Sequence, residues 1–218
     1  ETMFQEMIQT ADRIQGISQH TLSRIQHHYG FSREKMFCSH IAIHQRLLSL
    51  GPPTASAPPA RPYFFYPANA WKHKNHEVLL LAYGIYLAQS GANEAWDLIL
   101  TGHDDSAMKA ILRLSEILGL RDHVRFMGHL SDDHYRVVWR NAGALIFPSL
   151  HEGFGIPLVE AMAFGLPILT GNAGSLPEVG GDACLYADAT KPLALAEAMT
   201  HLASSPELRD DLRRRGYA

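Results

Sequence analysis

Two glutamates stand eight positions apart, with a Gly-Phe-Gly turn between them. Glu152 follows a short apolar stretch, Ala144–Phe147, and Glu160 lies within a helix-compatible stretch, Pro157–Phe164. Unpaired N–H groups at a helix N-terminus attract anions, whereas a carboxylate accepts hydrogen bonds from hydroxyls. The pattern favours a ligand that carries both hydroxyls and phosphate. Both glutamates could instead be solvated or capping residues, since acidic side chains stabilise helix N-termini.

Strand and helix patterns alternate along the chain after residue 62. Short apolar strands are predicted at Tyr63–Tyr66, Leu98–Thr101, Val124–Met127, Ala144–Phe147, Ile168–Thr170 and Cys184–Ala187. Helices are predicted at Glu77–Gln89, Ser106–Leu118, Asp132–Arg140, Pro157–Phe164 and Leu193–Ser204, with another from Pro206. This alternation predicts an α/β fold, a Rossmann-like doubly wound parallel sheet, in which ligands bind beyond the carboxyl ends of the strands.

The first 62 residues follow a different pattern. A helix is predicted over Glu1–Ala11, a short strand over Arg13–Ile17, and a second helix over Thr21–Tyr29. Segment 51–62 is rich in Pro, Ala and Ser, which is typical of a semi-rigid linker. The linker therefore divides the chain into a short leading piece and a larger α/β unit.

The loops that follow the predicted strands contain groups suited to phosphate and sugar. They are Pro67–His76 with Lys72 and Lys74, Thr101-Gly102-His103, Gly128-His129-Leu130, the Glu152 turn, and Gly171–Ser175. Lysines neutralise phosphates as compact cations, and glycines allow the backbone to approach a ligand closely. In a doubly wound sheet these loops meet at one edge.

Composition excludes several classes of protein. The apolar fraction of 46%, the charged fraction of 19% and the formal net charge of −3 are typical of a soluble globular protein without a general basic field for nucleic acid. No apolar run approaches the roughly 20 residues that cross a bilayer. The two cysteines, Cys38 and Cys184, are far apart, which favours a reducing compartment and hence a cytoplasmic location.

Common catalytic motifs are missing as well. The first predicted strand is followed by Pro67-Ala68-Asn69 rather than Gly-x-Gly-x-x-Gly, which argues against a dinucleotide-dependent dehydrogenase. The sequence has neither a Gly-x-Ser-x-Gly elbow nor a P-loop. The sequence has 13 histidines, but they form no His-Glu-x-x-His motif and have no paired cysteines near them. No metal site is therefore expected.

The ordered motifs resemble those of the nucleotide-binding half of a GT-B glycosyltransferase, in the retaining family 4, or group 1. The matching segments are Ala11–Ser18, Val124–Gly128, Phe147–Gly155, Glu160–Pro167, Gly174–Val179 and Pro206–Arg209. The resemblance implies one half of a GT-B fold and a site for a nucleoside-diphosphate sugar, linked to UDP or GDP.

The resemblance also implies roles for individual residues. Glu152 would contact hydroxyls of the donor sugar beside the reacting carbon, Lys74 would hold the diphosphate, and Glu160 would bind the ribose. Backbone N–H groups against sugar and phosphate would come from Gly153, Phe154, Gly155 and Ile156. Further substrate contacts would come from Gly128 and His129 at the base, and from Gly102, Asn69 and Lys72. Many relatives have Gly-Arg where this chain has Ala68-Asn69, and Lys72 is the candidate replacement for that cation.

The implied reaction transfers a sugar to an acceptor hydroxyl with retention and without a metal or other cofactor. Residues 1–50 would be the tail and hinge of an N-terminal acceptor domain, and 63–218 the donor domain. A glycan, a lipid-linked sugar or another hydroxyl compound would bind the missing domain, and the full-length protein could associate with a membrane surface. The chain alone is expected to bind the donor and transfer little sugar. The alternative is a non-catalytic nucleotide-sugar-binding module that serves a partner subunit.

Overall fold

The structure is a computed structural model that describes residues 2–43, 47 and 61–217. Residues 51–60 of the predicted linker lie outside this range. The strands are β1 (Ile14–Gly16), β2 (Met36–Cys38), β3 (Tyr63–Pro67), β4 (Asp97–Thr101), β5 (Val124–Phe126), β6 (Ala144–Phe147), β7 (Ile168–Thr170) and β8 (Cys184–Tyr186). The α-helices are α1 (Thr2–Thr10), α2 (Gln19–Tyr29), α3 (His76–Ser90), α4 (Ser106–Ile117), α5 (Asp132–Asn141), α6 (Ile156–Ala163), α7 (Leu176–Gly180), α8 (Pro192–Ser204) and α9 (Pro206–Gly216).

Six parallel strands form the main sheet, in the order β5-β4-β3-β6-β7-β8. The chain enters this sheet at its centre with β3 and continues through β4 to the edge strand β5. It then returns to the centre and forms the other half from β6 to β8. Since crossovers between parallel strands are right-handed, the helices of the two halves cover opposite faces. The predicted doubly wound α/β fold is confirmed, and its switch point lies between β3 and β6.

The core lies around the central strands. All four of the residues Tyr63, Phe64, Phe65 and Tyr66 are at most 1% exposed, as is every residue of β6. A strand covered by helices on both faces has a continuous apolar sequence, which explains why these two strands were readily predicted. The rigid centre carries Pro67 and Phe147 at its carboxyl edge, from which the two loops of the candidate site begin.

The leading segment forms a small unit against this sheet. Strands β1 and β2 pair in parallel, and β2 is an element that the sequence did not predict. Ser18 accepts a hydrogen bond from the N–H of Thr21 at the start of α2, and Gly30 ends the helix with a φ of 64°. Both ends follow standard capping chemistry. Among the described helices, none is both long and apolar enough to cross a membrane.

Candidate functional site

Two loops meet at the switch point of the sheet. The first follows β3 and contains a short 3₁₀ turn, Lys72–Lys74; the second follows β6. The Ser149 hydroxyl donates to the carbonyl of His73 at 3.0 Å, and the N–H of Leu150 donates to the same carbonyl at 2.8 Å. These bonds hold the lysine turn against the loop that leads to Glu152.

Lys74 and Glu152 form a nearly buried ion pair. The distance between Lys74 Nζ and Glu152 Oε1 is 2.5 Å, and the side chains are 13% and 12% exposed. Lys74 Nζ also lies 4.9 Å from the centroid of the Phe147 ring. The Tyr66 hydroxyl donates to the Lys74 carbonyl. Burial raises the pKa of Tyr66 well above its usual value, and the Glu152 charge raises it further, so this hydroxyl stays protonated.

Asn75 fixes the direction of the lysine turn. It has a φ of 64°, a left-handed conformation that asparagine tolerates better than most residues. Its buried side chain donates to the carbonyls of Pro148, at 3.1 Å, and Ala189, at 2.7 Å. The amide therefore connects the lysine turn to the loops after β6 and β8.

The backbone of Glu152 is held from the loop after β7. Both the N–H and the hydroxyl of Ser175 donate to the Glu152 carbonyl, at 3.2 and 3.0 Å. Gly174 has a φ of 64°, and a Cβ there would lie 2.7 Å from the same carbonyl oxygen. Only glycine fits this close approach.

The leading segment holds the other side of the turn. The hydroxyls of Ser18 and Thr21 donate to the Gly153 carbonyl at 2.7 and 3.1 Å. The carboxylate of Glu178 accepts from the N–H groups of Gln19 and His20 at 2.7 and 2.9 Å. Helix α2 is thus seated directly on the loop that carries Glu152.

The turn between the glutamates presents unpaired backbone donors. Within the described residues, no hydrogen bond engages the N–H of Gly153, Phe154, Gly155 or Ile156. Gly155 has a φ of 96°, and α6 begins at the next residue. Such N–H groups at a helix start favour an anion, so the turn can bind phosphate beside Lys74.

A cavity of about 300 Å³ opens on the other side of this turn, along the ends of β3, β4 and β5. Its lining includes Asn69, Gly102, Gly128, His129, Asp132, Tyr135 and Glu160. The Tyr135 hydroxyl donates to Glu160 Oε2 at 3.3 Å. Asn69 Oδ1 accepts from the N–H of His103 at 2.9 Å, and the His103 and His129 rings stack with centroids 5.7 Å apart.

The predicted site residues therefore fall into four places, one of which is the turn from Gly153 to Ile156. Lys74 and Glu152 contact each other, and five others line the cavity: Glu160, Gly102, Gly128, His129 and Asn69. Lys72 is exposed and lines a separate cavity with Trp71 and His76. The Phe154 side chain is 5% exposed and packs near His40, at a centroid distance of 5.6 Å, so its ring is not available to a ligand.

Three supporting residues were not found from the sequence: Ser18, Thr21 and Asn75. Ser175 lies in a loop that was expected to contact phosphate or sugar, but its hydroxyl donates to the Glu152 carbonyl. Ser18 precedes a predicted helix, which signals a cap, but its bond to Gly153 joins positions 135 residues apart. Asn75 stands two positions before the helix predicted at Glu77–Gln89, and this position is a weaker signal of a helix cap. Such long-range contacts depend on how the loops fold together.

Among the described residues, one group could hold a metal ion. Ligand atoms of Cys38, His40 and Glu178 lie within 4.8 Å of one another. The Glu178 carboxylate already accepts two backbone N–H bonds and lies 3.0 Å from the His40 ring nitrogen. This group lies where α2 meets the sheet domain and contains neither Glu152 nor Glu160.

Comparison with known proteins decides the family. The model of the family described as "Glycosyl transferases group 1" matches residues 54–218. The chain belongs to the group 1 glycosyl transferase family. This family member is 27% identical, over 146 residues, to the O-antigen chain mannosyltransferase RfbU of Salmonella typhimurium. The alignment covers 66% of this chain and 39% of that relative, so the chain spans well under half of the relative's length.

Solved structures share the fold of this group 1 family member. A glycosyltransferase from Rickettsia africae has a TM-score of 0.81 at 14% identity, and the match covers 99% of this chain and 61% of that one. HepE from Anabaena, solved in complex with UDP and glucose, has a TM-score of 0.75 at 17% identity, covering 96% of this chain and 58% of that one. The likeness includes the leading segment, because almost the entire chain is matched.

Proposed function

We propose that this chain forms the donor site of a glycosyltransferase that moves mannose from a nucleoside diphosphate to an acceptor hydroxyl. The contact between Lys74 and Glu152 carries the proposal, because it places a cation and a hydroxyl acceptor side by side at the anion-binding turn. The choice of mannose rests on the relative named as a mannosyltransferase.

The donor would lie across the turn between the two glutamates. Its nucleoside would occupy the cavity with the ribose at Glu160, and its diphosphate would reach the N–H groups of Gly153 to Ile156. The ligand phosphate would compete with Glu152 for Lys74. Once released from that ion pair, the Glu152 carboxylate would accept hydrogen bonds from the sugar.

The chemical step would need no metal. As the bond between the anomeric carbon and the diphosphate oxygen breaks, its electron pair would pass to the leaving phosphate, which Lys74 and the backbone N–H groups stabilise. The acceptor oxygen would form the new bond on the same face of the sugar, and its proton would move to the leaving phosphate. Retention of configuration follows from this same-face route.

The acceptor side would lie toward α2. A second cavity of about 320 Å³ is lined by Glu152 and Gly153 on one side and by His20, Arg24 and Tyr29 on the other. Glu152 thus lies between this cavity and the donor turn. An acceptor hydroxyl that enters here would approach the sugar held by Glu152.

Nucleotide release from GDP-mannose and UDP-mannose, measured in EDTA with and without added glycan acceptors, tests the proposal. We expect saturable binding of the donor and a low, EDTA-resistant release of nucleotide that Glu152→Gln lowers by about two orders of magnitude, a typical effect of losing a transition-state contact. Glu197→Gln, an exposed change on α8, serves as the control. Turnover that Glu152→Gln leaves unchanged would contradict the proposed role, and the absence of nucleotide binding would contradict the function.

A further inference from the structure

A cysteine, a histidine and a glutamate lie close together where the leading segment meets the sheet domain. Ligand atoms of Cys38, His40 and Glu178 are within 4.8 Å of one another. Thiolate, imidazole and carboxylate groups are the ligands that zinc takes from proteins. None of the three residues has a part in the proposed chemistry at Glu152. The group is therefore a candidate zinc site separate from the donor site.

The two ligands of the leading segment come from the end of β2. Cys38 is the last residue of this strand and pairs with Gly16 of β1. The N–H of Ser39 donates to the Gly16 carbonyl at 2.9 Å, so the backbone that leads to His40 is held against β1. Residues two positions apart in an extended chain lie on the same side. A Cys-x-His spacing at a strand end can therefore supply two ligands to one ion.

Glu178 supplies the third ligand from α7 and is already oriented. Its carboxylate accepts from the N–H groups of Gln19 and His20 at 2.7 and 2.9 Å. An ionised carboxylate has about four lone-pair sites, so these two bonds leave room for a metal ion. Backbone donors of this kind fix the direction of a ligating carboxylate and strengthen a metal site. Glu178 lies 138 positions beyond His40, which is why no spacing in the sequence signals the group.

The histidine and the glutamate have the separation of two ligands of one ion. The distance between His40 Nε2 and Glu178 Oε1 is 3.0 Å. In a tetrahedral zinc site with bonds of about 2.0 Å, a nitrogen and an oxygen ligand are about 3.3 Å apart. The ion would take the place of the proton that these two atoms share. The His40 side chain is 56% exposed, so an ion can reach it from solvent and the ring can adjust.

The cysteine adds the preference for zinc over harder cations. A zinc–sulfur bond of about 2.3 Å places the sulfur about 3.6 Å from the other ligand atoms, so a movement of about 1 Å closes the set. A thiolate favours zinc over magnesium or calcium, which prefer oxygen ligands. The Cys38 thiolate and the Glu178 carboxylate together match the charge of a divalent ion. Arg33 also acts on the thiol, but its guanidinium donates to the Gln19 side chain.

We propose that Cys38, His40 and Glu178 bind one zinc ion, with water as the fourth ligand, and that the ion holds the end of β2 against α7. The same junction supports the turn that carries Glu152, because the His40 ring packs near Phe154, at a centroid distance of 5.6 Å. The role is structural. EDTA would remove the ion without removing any group of the donor site, so the proposal does not rest on the proposed function.

Calorimetric titration of the full chain with zinc chloride, in a phosphine reductant, tests the proposal. We expect one ion per chain with a dissociation constant of about 1 µM or less. Cys38→Ser and His40→Gln should each weaken binding by at least about a hundredfold, the upper end of the loss caused by removing an outer partner of a metal ligand. Cobalt(II) in place of zinc should give a thiolate-to-metal charge-transfer band that Cys38→Ser abolishes.

Two controls separate this site from other thiols and histidines. Cys184→Ala removes the other cysteine, which is buried on β8, and should keep the cobalt band. His27→Gln changes one of two adjacent exposed histidines on α2 and should keep the zinc affinity. Circular dichroism checks that each variant folds.

The outcomes are distinct. A cobalt complex of the wild type without the thiolate band would overturn the proposal, whether or not the variants fold. Zinc affinities of Cys38→Ser and His40→Gln within about threefold of the wild type would overturn it as well, since the ion would then bind surface histidines. So would the absence of saturable zinc binding below about 100 µM. The proposed function is tested separately, by nucleotide binding.

Discussion

Glu152 and Glu160 lie on opposite sides of one turn, and the two sides differ in structure. On the Glu152 side, the carboxylate is paired with Lys74, and hydrogen bonds with three other parts of the chain hold the loop. On the Glu160 side, a cavity of about 300 Å³ is lined largely by residues at or just after the ends of strands. We call these the paired side and the open side.

This difference indicates how each side meets a ligand. On the paired side, Lys74 is already neutralised by Glu152, so a ligand phosphate must replace an existing ion pair. On the open side, a ligand fills space and can bond to backbone groups such as those of His129 and Leu130, which make no backbone hydrogen bond among the described residues. Substitutions on the paired side should therefore alter stability and binding together, whereas those on the open side should alter mainly binding.

The largest expected effect is the loss of the cation on the paired side. Lys74→Met leaves the Glu152 carboxylate unpaired at 12% exposure, and removing one partner of a buried pair lowers the free energy of unfolding by about 3 kcal/mol or more. Lys109→Met, at a side chain that is 68% exposed, should change it by less than about 0.5 kcal/mol. Urea denaturation compares the two variants, and equal midpoints would show that the paired side adds no stability.

Acid should also weaken the paired side. His76, the first residue of α3 beside the lysine turn, is buried, and burial lowers its pKa from 6.5 to about 4. The unfolded chain takes up this proton near pH 6.5, but the folded chain does so only near pH 4, so stability is lost as the pH falls through that window. The shift corresponds to about 3 kcal/mol.

Replacing His76 removes this titration. The free energy of unfolding of His76→Gln should fall less between pH 6.5 and pH 4 than that of the wild type, by about 3 kcal/mol. His201→Gln, at an exposed position on α8, should keep the wild-type pH dependence. Parallel curves for the wild type and His76→Gln would show that this histidine does not titrate in the folded chain as described.

A smaller effect is expected from a matched pair of glycines. Gly174 on the paired side and Gly128 on the open side have φ values of 64° and 66°. A Cβ at Gly174 would lie 2.7 Å from a backbone oxygen, whereas a Cβ at Gly128 meets nothing within 4 Å. Both alanine variants carry the left-handed strain of about 1 kcal/mol, and Gly174→Ala should cost a further 1–2 kcal/mol or so. Equal unfolding free energies would remove this distinction between the sides.

The sequence predicted the strands of the main sheet better than the short elements and loop contacts around them. All six strands of the main sheet were predicted, with ends that differ from the structure by one residue at most, because buried parallel strands are continuous apolar runs. Strand β2, which has three residues and a central Phe37 that is 47% exposed, was not predicted. Helix α7 was missed because Pro177 and two glycines within a short segment indicate a loop.

In the candidate site, too, the sequence indicated individual residues but not the contacts between distant loops. The spacing of Glu152 and Glu160 and the strand-end position of Lys74 were readable from the sequence. The ion pair between Lys74 and Glu152 was not, since it depends on the left-handed Asn75 and on bonds between distant loops. Lys72 was selected as a cation in a strand-end loop and as the replacement for an arginine found in many relatives, but it lines a separate cavity from the one that contains Glu160.

The most direct test compares the affinities of GDP and GDP-mannose in the wild type and in Glu152→Gln, with Glu197→Gln as the control. If Glu152 competes with phosphate for Lys74 and then binds the sugar, Glu152→Gln should bind GDP more tightly and GDP-mannose more weakly. The ratio of the two affinities should shift by about tenfold, as expected for one hydrogen bond to a charged group. A ratio in Glu152→Gln equal to that of the wild type and of Glu197→Gln would contradict the account.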